Sequence, residues 1–359
     1  MVTVNQLLAT SKKVLKSCVK SNGAIVAANS KKKDYPKQAK NYHYVWPRDG
    51  AFISYAAQYI DLDIQEDFFR WCMKAEGWEE TGLFYEKYKP NGKKVGDNFQ
   101  PDQTGTVLWA ACEFYRNNDI GNKCNFERLI KGCADGLCKI WNDNRFAIVS
   151  QDLWEERNCF PDLHDVFIYS LAACAKGIIL AQRIFQNEEW RKTAHEMLDV
   201  LEEVEFNRFY RTHGYIMDKR IDASLMGLAW PFDSIGAANP RTERTILNIQ
   251  KRLAKRGGIY RYEHDEYDGW MYSEGLHRKK GAGYWPLLNF WMSIVLAQYG
   301  DKKEALEYFD KVLSDLEEPF IPEQIFTNTY QVAVKPLAWS HAMFVIACKK
   351  LGFIDSVIP

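Results

Sequence analysis

Apolar residues recur every three to four positions over most of the chain. Between residues 4 and 21, Val4, Leu7, Leu8, Val14, Leu15, Cys18 and Val19 form one stripe, lysines take the opposite face, and Asn22-Gly23 supplies a stop. The same period predicts about twelve helices, near residues 4–21, 50–61, 64–78, 104–118, 126–142, 164–186, 188–205, 222–232, 240–256, 286–299, 302–316 and 335–352. Strand patterns are confined to residues 23–27 and 145–149. The connections alternate in length, roughly 15 to 30 residues into each even-numbered helix and usually fewer than about 8 out of it. Helices in that rhythm make six hairpins, and hairpins packed around an axis put every long connection at one end. The expected architecture is therefore all-α, a single (α/α)6 toroid over residues 1–359 with its chemistry on the long-loop face.

Those long loops carry the unusual residues. They include Tyr42-His43-Tyr44-Val45-Trp46-Pro47-Arg48-Asp49, Phe99-Gln100-Pro101-Asp102-Gln103-Thr104-Gly105, Gln151-Asp152-Leu153-Trp154-Glu155-Glu156-Arg157, Met217-Asp218-Lys219-Arg220-Ile221-Asp222, Tyr260-Arg261-Tyr262-Glu263 and Ile321-Pro322-Glu323-Gln324. Brought to one face, they form a pocket walled by Trp and Tyr with carboxylates and arginines inside. Such a pocket suits a sugar, whose C–H faces stack on rings while its hydroxyls take paired hydrogen bonds.

Composition narrows the choice. The 47 Lys and Arg balance 47 Asp and Glu, without the basic excess that a nucleic acid or an anionic membrane would require. The 14% aromatic share, with 12 Trp, exceeds what a core alone calls for. The start of the chain lacks a signal-peptide pattern, and no continuous apolar run long enough to span a membrane is apparent. The nine cysteines are unpaired in spacing and lie among apolar neighbours, as Cys174 and Cys348 do, which fits buried thiols in a reducing cytoplasm. Neither they nor the seven histidines show metal-ligand spacing, so neither metal nor cofactor is expected.

Cutting a glycosidic bond takes two carboxyls, one protonated to assist the departing oxygen and one ionised to activate water or attack carbon. Glu155 and Glu323 are the best candidates. Trp154 beside Glu155 is an apolar wall and Glu156 a like charge, both of which would keep Glu155 protonated.

Together, Tyr42-x-Tyr44-x-Trp46-Pro47-Arg48-Asp49, Asp152-Leu153-Trp154-Glu155-Glu156, Glu323-Gln324 and Leu337-Ala338-Trp339-Ser340 resemble glycoside hydrolase family 15, the glucoamylase, glucodextranase and trehalase group, over about residues 23–352. The resemblance implies an (α/α)6 barrel and an inverting exo-hydrolase that releases β-D-glucose from the non-reducing end of an α-linked oligo- or polysaccharide. It places Glu155 as general acid and Glu323 as general base. Arg48 and Asp49 would clamp the terminal glucose, with Tyr42, Trp46 and Trp339 lining that subsite and Asp102, Trp154, Glu156, Arg261 and Gln324 completing the binding residues. Two departures from the family pattern touch expected recognition loops: Gln103 stands where a carboxylate is usual, and Phe160-Pro161-Asp162-Leu163-His164 follows the acid. The N-terminal β-sandwich of many prokaryotic members is also expected to be missing. The near alternatives are a trehalase or an α-1,6-glucosidase, and the distant one a non-catalytic glucan-binding or regulatory module, which would have no use for an acid opposite a base.

Overall fold

The computed structural model describes residues 2–117, 123–203, 207–236, 238–269 and 281–354. Its helices are α1 (Val4–Cys18), α2 (Pro47–Ala57), α3 (Gln65–Cys72), the single turn α4 (Trp78–Thr81), α5 (Pro101–Asn117), α6 (Lys123–Ile140), α7 (Ile168–Phe185), α8 (Glu188–Glu202), α9 (Pro240–Leu253), α10 (Pro286–Gln298), α11 (Lys302–Asp315) and α12 (Ala338–Leu351), with a 3-10 segment at Ala223–Leu228 between α8 and α9. Local chemistry sets their starts. Thr3 and Gln6 form a reciprocal capping box on α1, Asn187, Asn239 and Asp301 cap α8, α9 and α11, and proline occupies the first turn of α2, α9 and α10.

The helices form two rings. α2, α5, α7, the 3-10 segment, α10 and α12 each touch the next, and α12 returns to α2, so the inner ring closes. Inner members such as α10 and α12 are buried almost all round, whereas outer ones bury a stripe, as α1 does through Leu7, Val14, Leu15 and Cys18. An aromatic cluster fills the axis: Phe52 packs on Trp109, Trp230, Trp291 and Trp339 at centroid distances of 5.2–6.1 Å. α5 and α7 approach closely at glycines, since a Cβ on Gly105 would lie 2.6 Å from the Cys174 nitrogen.

Several expectations are corrected. The helix expected at 222–232 is only the 3-10 segment, because the Asp222 side chain tightens its start on Ser224 and Pro231 removes a helical donor. α1 ends at Cys18 rather than 21, since the chain reverses at Gly23 (φ 90°) to pair Val19 with Ile25. Residues 23–27 form no continuous strand: Val26 donates to Cys18 and Ala27 to Tyr44, while the Ala27 carbonyl accepts from Ala338. Of 145–149, Arg145–Phe146 alone pairs, with Trp141–Asn142. α7 is long and apolar enough to cross a membrane, contrary to the reading of the sequence, yet it is an inner-ring helix packed between α5 and α8. The cysteines whose side chains are described are free and buried; the side chain of Cys124 lies outside the described residues.

Candidate active site

Four of the segments that enter the inner-ring elements converge on a cavity of about 280 Å³. The loop before α2 supplies Tyr42 and Trp46, and the first turn of α2 supplies Arg48 and Asp49. The segment before α7 brings Trp154, Glu155 and Glu156, that before α10 brings Arg261, Tyr267 and Trp285, and that before α12 brings Glu323, with Trp339 from α12 itself. Ten of the residues singled out in the sequence thus share one wall with one another: Tyr42, Trp46, Arg48, Asp49, Trp154, Glu155, Glu156, Arg261, Glu323 and Trp339.

Glu155 sits at the tip of a hairpin in which Ser150 pairs with Cys159 and Gln151 with Asn158. Its backbone is left-handed (φ 62°), a costly state for a residue with a Cβ. Asp152 compensates by accepting from the amides of Glu156 and Arg157 at 2.8 and 3.0 Å, and is itself paired with the buried Arg211. Trp154 is fixed in turn, its indole N–H donating to both oxygens of Asp222 at 3.0 and 3.1 Å. The Glu155 Oε1 accepts from Trp46 Nε1 at 2.7 Å, and Lys87 Nζ lies 3.4 Å from Oε2. Burial, then the carboxylate of Glu86, pushes the Glu155 carboxyl up to about 7, with Lys87 opposing. The like charge facing Glu155 is therefore Glu86 and not Glu156. The Glu156 carboxylate turns away to Arg261 (2.7 Å) and the Tyr262 hydroxyl.

Glu323 lies at a bend, donating its amide to Val334 while Ile325 pairs with Tyr284. Its Oε1 accepts from the Tyr42 hydroxyl at 2.7 Å, and Tyr42 meets Tyr267 at 3.4 Å. The other oxygen is buried and has no hydrogen-bond partner among the described residues, so it can accept from a water or a ligand hydroxyl. Burial pushes this carboxyl, too, up to about 7, opposed by Tyr42 and Arg261. Gln324 departs from its expected place: its side-chain carbonyl accepts from the Gly283 amide at 2.9 Å instead of lining the cavity.

At the floor, Arg48 bonds Asp49 (3.2 Å), Asp102 (3.0 Å) and Gln100 (3.2 Å), and its guanidinium lies 5.0 Å from the Trp339 ring centroid. Asp102 stands behind Arg48, buried against Ser170, and does not line the cavity. Gln103 also faces inward, accepting from the Arg48 amide at 2.7 Å while donating to Gln100 at 2.6 Å, two bonds that a carboxylate could not make together. Burial raises Asp49 to about 6 despite Arg48. Arg261 lies between the Trp154, Tyr267 and Trp285 rings at 4.9–5.3 Å, pinned by Asp265. The indole nitrogens of Trp285 and Trp339 are buried without partners among the described residues and are available to a ligand.

Sequence reading passed over Lys40, Tyr267 and Trp285 on the wall, and Glu86 and Lys87 behind the acid. Only the aromatic excess of the loops could have pointed to Trp285 and Tyr267.

The family model for glycosyl hydrolases family 15 matches residues 4–349, and the chain belongs to that family. Over 95% of its length it is 28% identical to an uncharacterized glycosyl hydrolase of Methanocaldococcus jannaschii, of which it covers 56%. It is 24% identical, over 81% of its length, to a trehalase of Mycolicibacterium smegmatis, covering 47% of that protein. It is 20% identical, over 87% of its length, to an isomaltose glucohydrolase of Kribbella flavida, covering 85%. The chain thus spans about half the length of the first two relatives. A solved glycosidase superposes with a TM-score of 0.79 over 98% of both chains at 20% identity. A bacterial glucoamylase complexed with acarbose gives 0.75 over 96% of this chain and 55% of that one, also at 20% identity. These likenesses establish the (α/α)6 barrel fold.

Proposed function

We propose that this family-15 hydrolase is an inverting, exo-acting α-glucosidase that frees β-D-glucose from the non-reducing end of short α-linked glucosides. The observation that carries the reading is the pairing of two carboxyls in one cavity, the half-buried Glu155 and the buried Glu323, each held by a different partner set. Glu155 faces the negative Glu86 and keeps its proton for the glycosidic oxygen. Glu323 receives the Tyr42 hydroxyl, which favours its carboxylate, and its open oxygen takes a proton from the water attacking the anomeric carbon. One turnover leaves Glu155 ionised and Glu323 protonated, and solvent returns both to the starting state. These steps use two carboxyls and a water.

With Arg48 Nε and Nη1 already committed to Asp49, Gln100 and Asp102, its Nη2 and the Asp49 carboxylate are what face the hydroxyls of the terminal ring, and Trp339, Trp46 and Trp285 supply its stacking faces. The closed floor of inner-ring side chains supports attack at a chain end, and a volume near the lower limit of the roughly 300–1,000 Å³ typical of small-molecule sites supports a ligand of one or two rings. The trehalase and isomaltose glucohydrolase among the relatives make a disaccharide with either linkage the second reading.

Glucose release from maltose, maltotriose, isomaltose, trehalose and starch, followed by proton NMR of the first-formed anomer, tests the reading. β-Glucose from at least one substrate, abolished in Glu155→Gln and in Glu323→Gln, is expected. Initial α-glucose would refute inversion, and wild-type turnover in either variant would remove that residue's role.

A further inference from the structure

Residues 82–98, between α4 and α5, contain no residue of the recognised motifs, yet they reach the acid. Its chain is braced on both sides. Tyr88 exchanges two backbone hydrogen bonds of 2.8 Å with Val45, the residue before Trp46, and Glu86 donates its amide to the Asn98 carbonyl at 2.9 Å. Between these braces, Lys87 Nζ pairs with Glu86, lies 3.4 Å from Glu155 Oε2 and sits 5.3 Å from the centre of the Trp46 ring. Glu86 is 3% exposed and also accepts from Asn98 Nδ2 at 2.8 Å. The two Glu155 oxygens are thus held by different groups, Oε1 by Trp46 and Oε2 by Lys87, and one ladder of backbone bonds fixes both.

We propose that Lys87 and Glu86 are a positioning pair for the acid: Lys87 orients Glu155 and stabilises the carboxylate left once the proton has gone, and Glu86 limits that stabilisation so that Glu155 still holds its proton before the bond breaks. This rests on Glu155 being the acid. In the step the Glu155 O–H bond breaks and an O–H bond forms at the leaving oxygen as its bond to the anomeric carbon breaks; the Lys87 ammonium, already charged, makes no covalent bond and gains a full anion as its neighbour. Burial opposes the charge of Lys87, but Glu155 and Glu86 together raise its pKa, so it stays protonated throughout. Glu86, despite its burial, is held below the usual carboxylate range by Lys87 and Asn98, so it is anionic throughout. Besides these two, the charged and titratable groups felt by Glu155 are Lys40, Tyr42 and Tyr267. The hydroxyls of Tyr42 and Tyr267 are pushed far above neutrality, and Lys40 is common to every variant below.

A salt bridge that served only to brace the loop would lose stability when cut and leave the pH profile unmoved. An electrostatic pair acts with opposite signs. Lys87→Met removes the cation that favours the ionised acid, so the alkaline limb of kcat/KM moves up by about one pH unit or more. Glu86→Gln keeps the bond from Asn98 and removes the anion, so the limb moves down. The double variant returns toward wild type, and Lys87→Arg, which keeps the charge, moves it least. In Lys87→Met, kcat falls with KM little changed, because the group acts on the chemical step. Profiles are taken on whichever glucoside the protein cleaves fastest, with Lys87→Gln replacing Lys87→Met should the latter unfold. Limbs that stay put, or move the same way in both single variants, overturn the proposal while Glu155→Gln remains inactive. Full turnover in Glu155→Gln would instead overturn the assignment of the acid beneath it.

Discussion

Arg48→Met probes the floor of the cavity. Arg48 is 3% exposed and is the cation nearest two carboxylates, Asp49 at 3.2 Å and Asp102 at 3.0 Å, themselves 6% and 0% exposed. Removing one partner of such a buried set costs about 3–5 kcal/mol, because charge is left without compensation. For 359 residues the unfolding entropy is about 0.75 kcal/mol/K, so the melting temperature should fall by about 4–7 °C at pH 8. The sign of the pH dependence is the sharper test. Asp49 is already raised to about 6 with Arg48 present, and Asp102 is raised too; without the guanidinium both rise further. A carboxyl whose folded pKa exceeds its unfolded value opposes folding once ionised, so the deficit is full above the folded pKa. It shrinks toward the unfolded value near 4, by about 1.4 kcal/mol per pH unit for each proton taken up. Calorimetric melts of wild type and variant at pH 8 and pH 5 should therefore show a gap that narrows in acid. A gap equal at both pH values, or wider at pH 5, would refute the account of a buried, charge-compensated floor.

Trp46→Phe keeps the stacking face but deletes the 2.7 Å donor to Glu155, a charge-assisted bond worth about 1.5–3 kcal/mol once the acid is ionised; kcat should fall roughly 10- to 150-fold by steady-state kinetics, with the fold intact by circular dichroism. Gly105→Ala places a methyl 2.6 Å from the Cys174 nitrogen, where α5 and α7 cross, and should cost about 1–3 kcal/mol in urea unfolding, whereas an unchanged midpoint would mean the helices can part freely. His341 is buried between Ser11 (2.8 Å) and the Ile321 amide (3.0 Å), and burial lowers it to about 3. Its neutral form supports the fold above pH 6.5, and that support is lost as pH falls from there toward 3. His341→Asn should accordingly flatten the drop in melting temperature between pH 7 and pH 5, and an identical slope would count against the linkage.

The apolar stripes of α1, α8 and α11 were legible because each repeats within one element, and the hairpin rhythm because loop length is a property of the chain itself. The ten wall residues were legible because they fall in short loop motifs around Trp46, Glu155, Arg261, Glu323 and Trp339. What escaped notice depends on contacts between distant segments. Glu86 and Lys87 were passed over because only the Val45–Tyr88 bridge sets them beside Glu155, 68 residues on from Lys87. Glu156 looked like the neighbour that tunes Glu155, yet adjacency in sequence does not fix direction, and Arg261 draws it away from 105 residues off. Gln324 was expected at the site from the Glu323-Gln324 motif, yet its side chain is drawn to the Gly283 amide instead.

The inner ring has a seam. It closes where α12 meets α2, with Ala338 donating to Ala27 at 2.9 Å and His341 reaching Ser11 on α1. Tyr42, Trp46 and Arg48 lie on one side of that seam, Glu323 and Trp339 on the other. A ribosome delivers the first group nearly three hundred residues before the second, so during synthesis Glu155, its hairpin, Arg48 and Asp49 exist with no Glu323 facing them. The proposed catalytic pair cannot assemble before the last segments of the ring are made, and a nascent chain, however well its early hairpins have formed, carries no complete site until then.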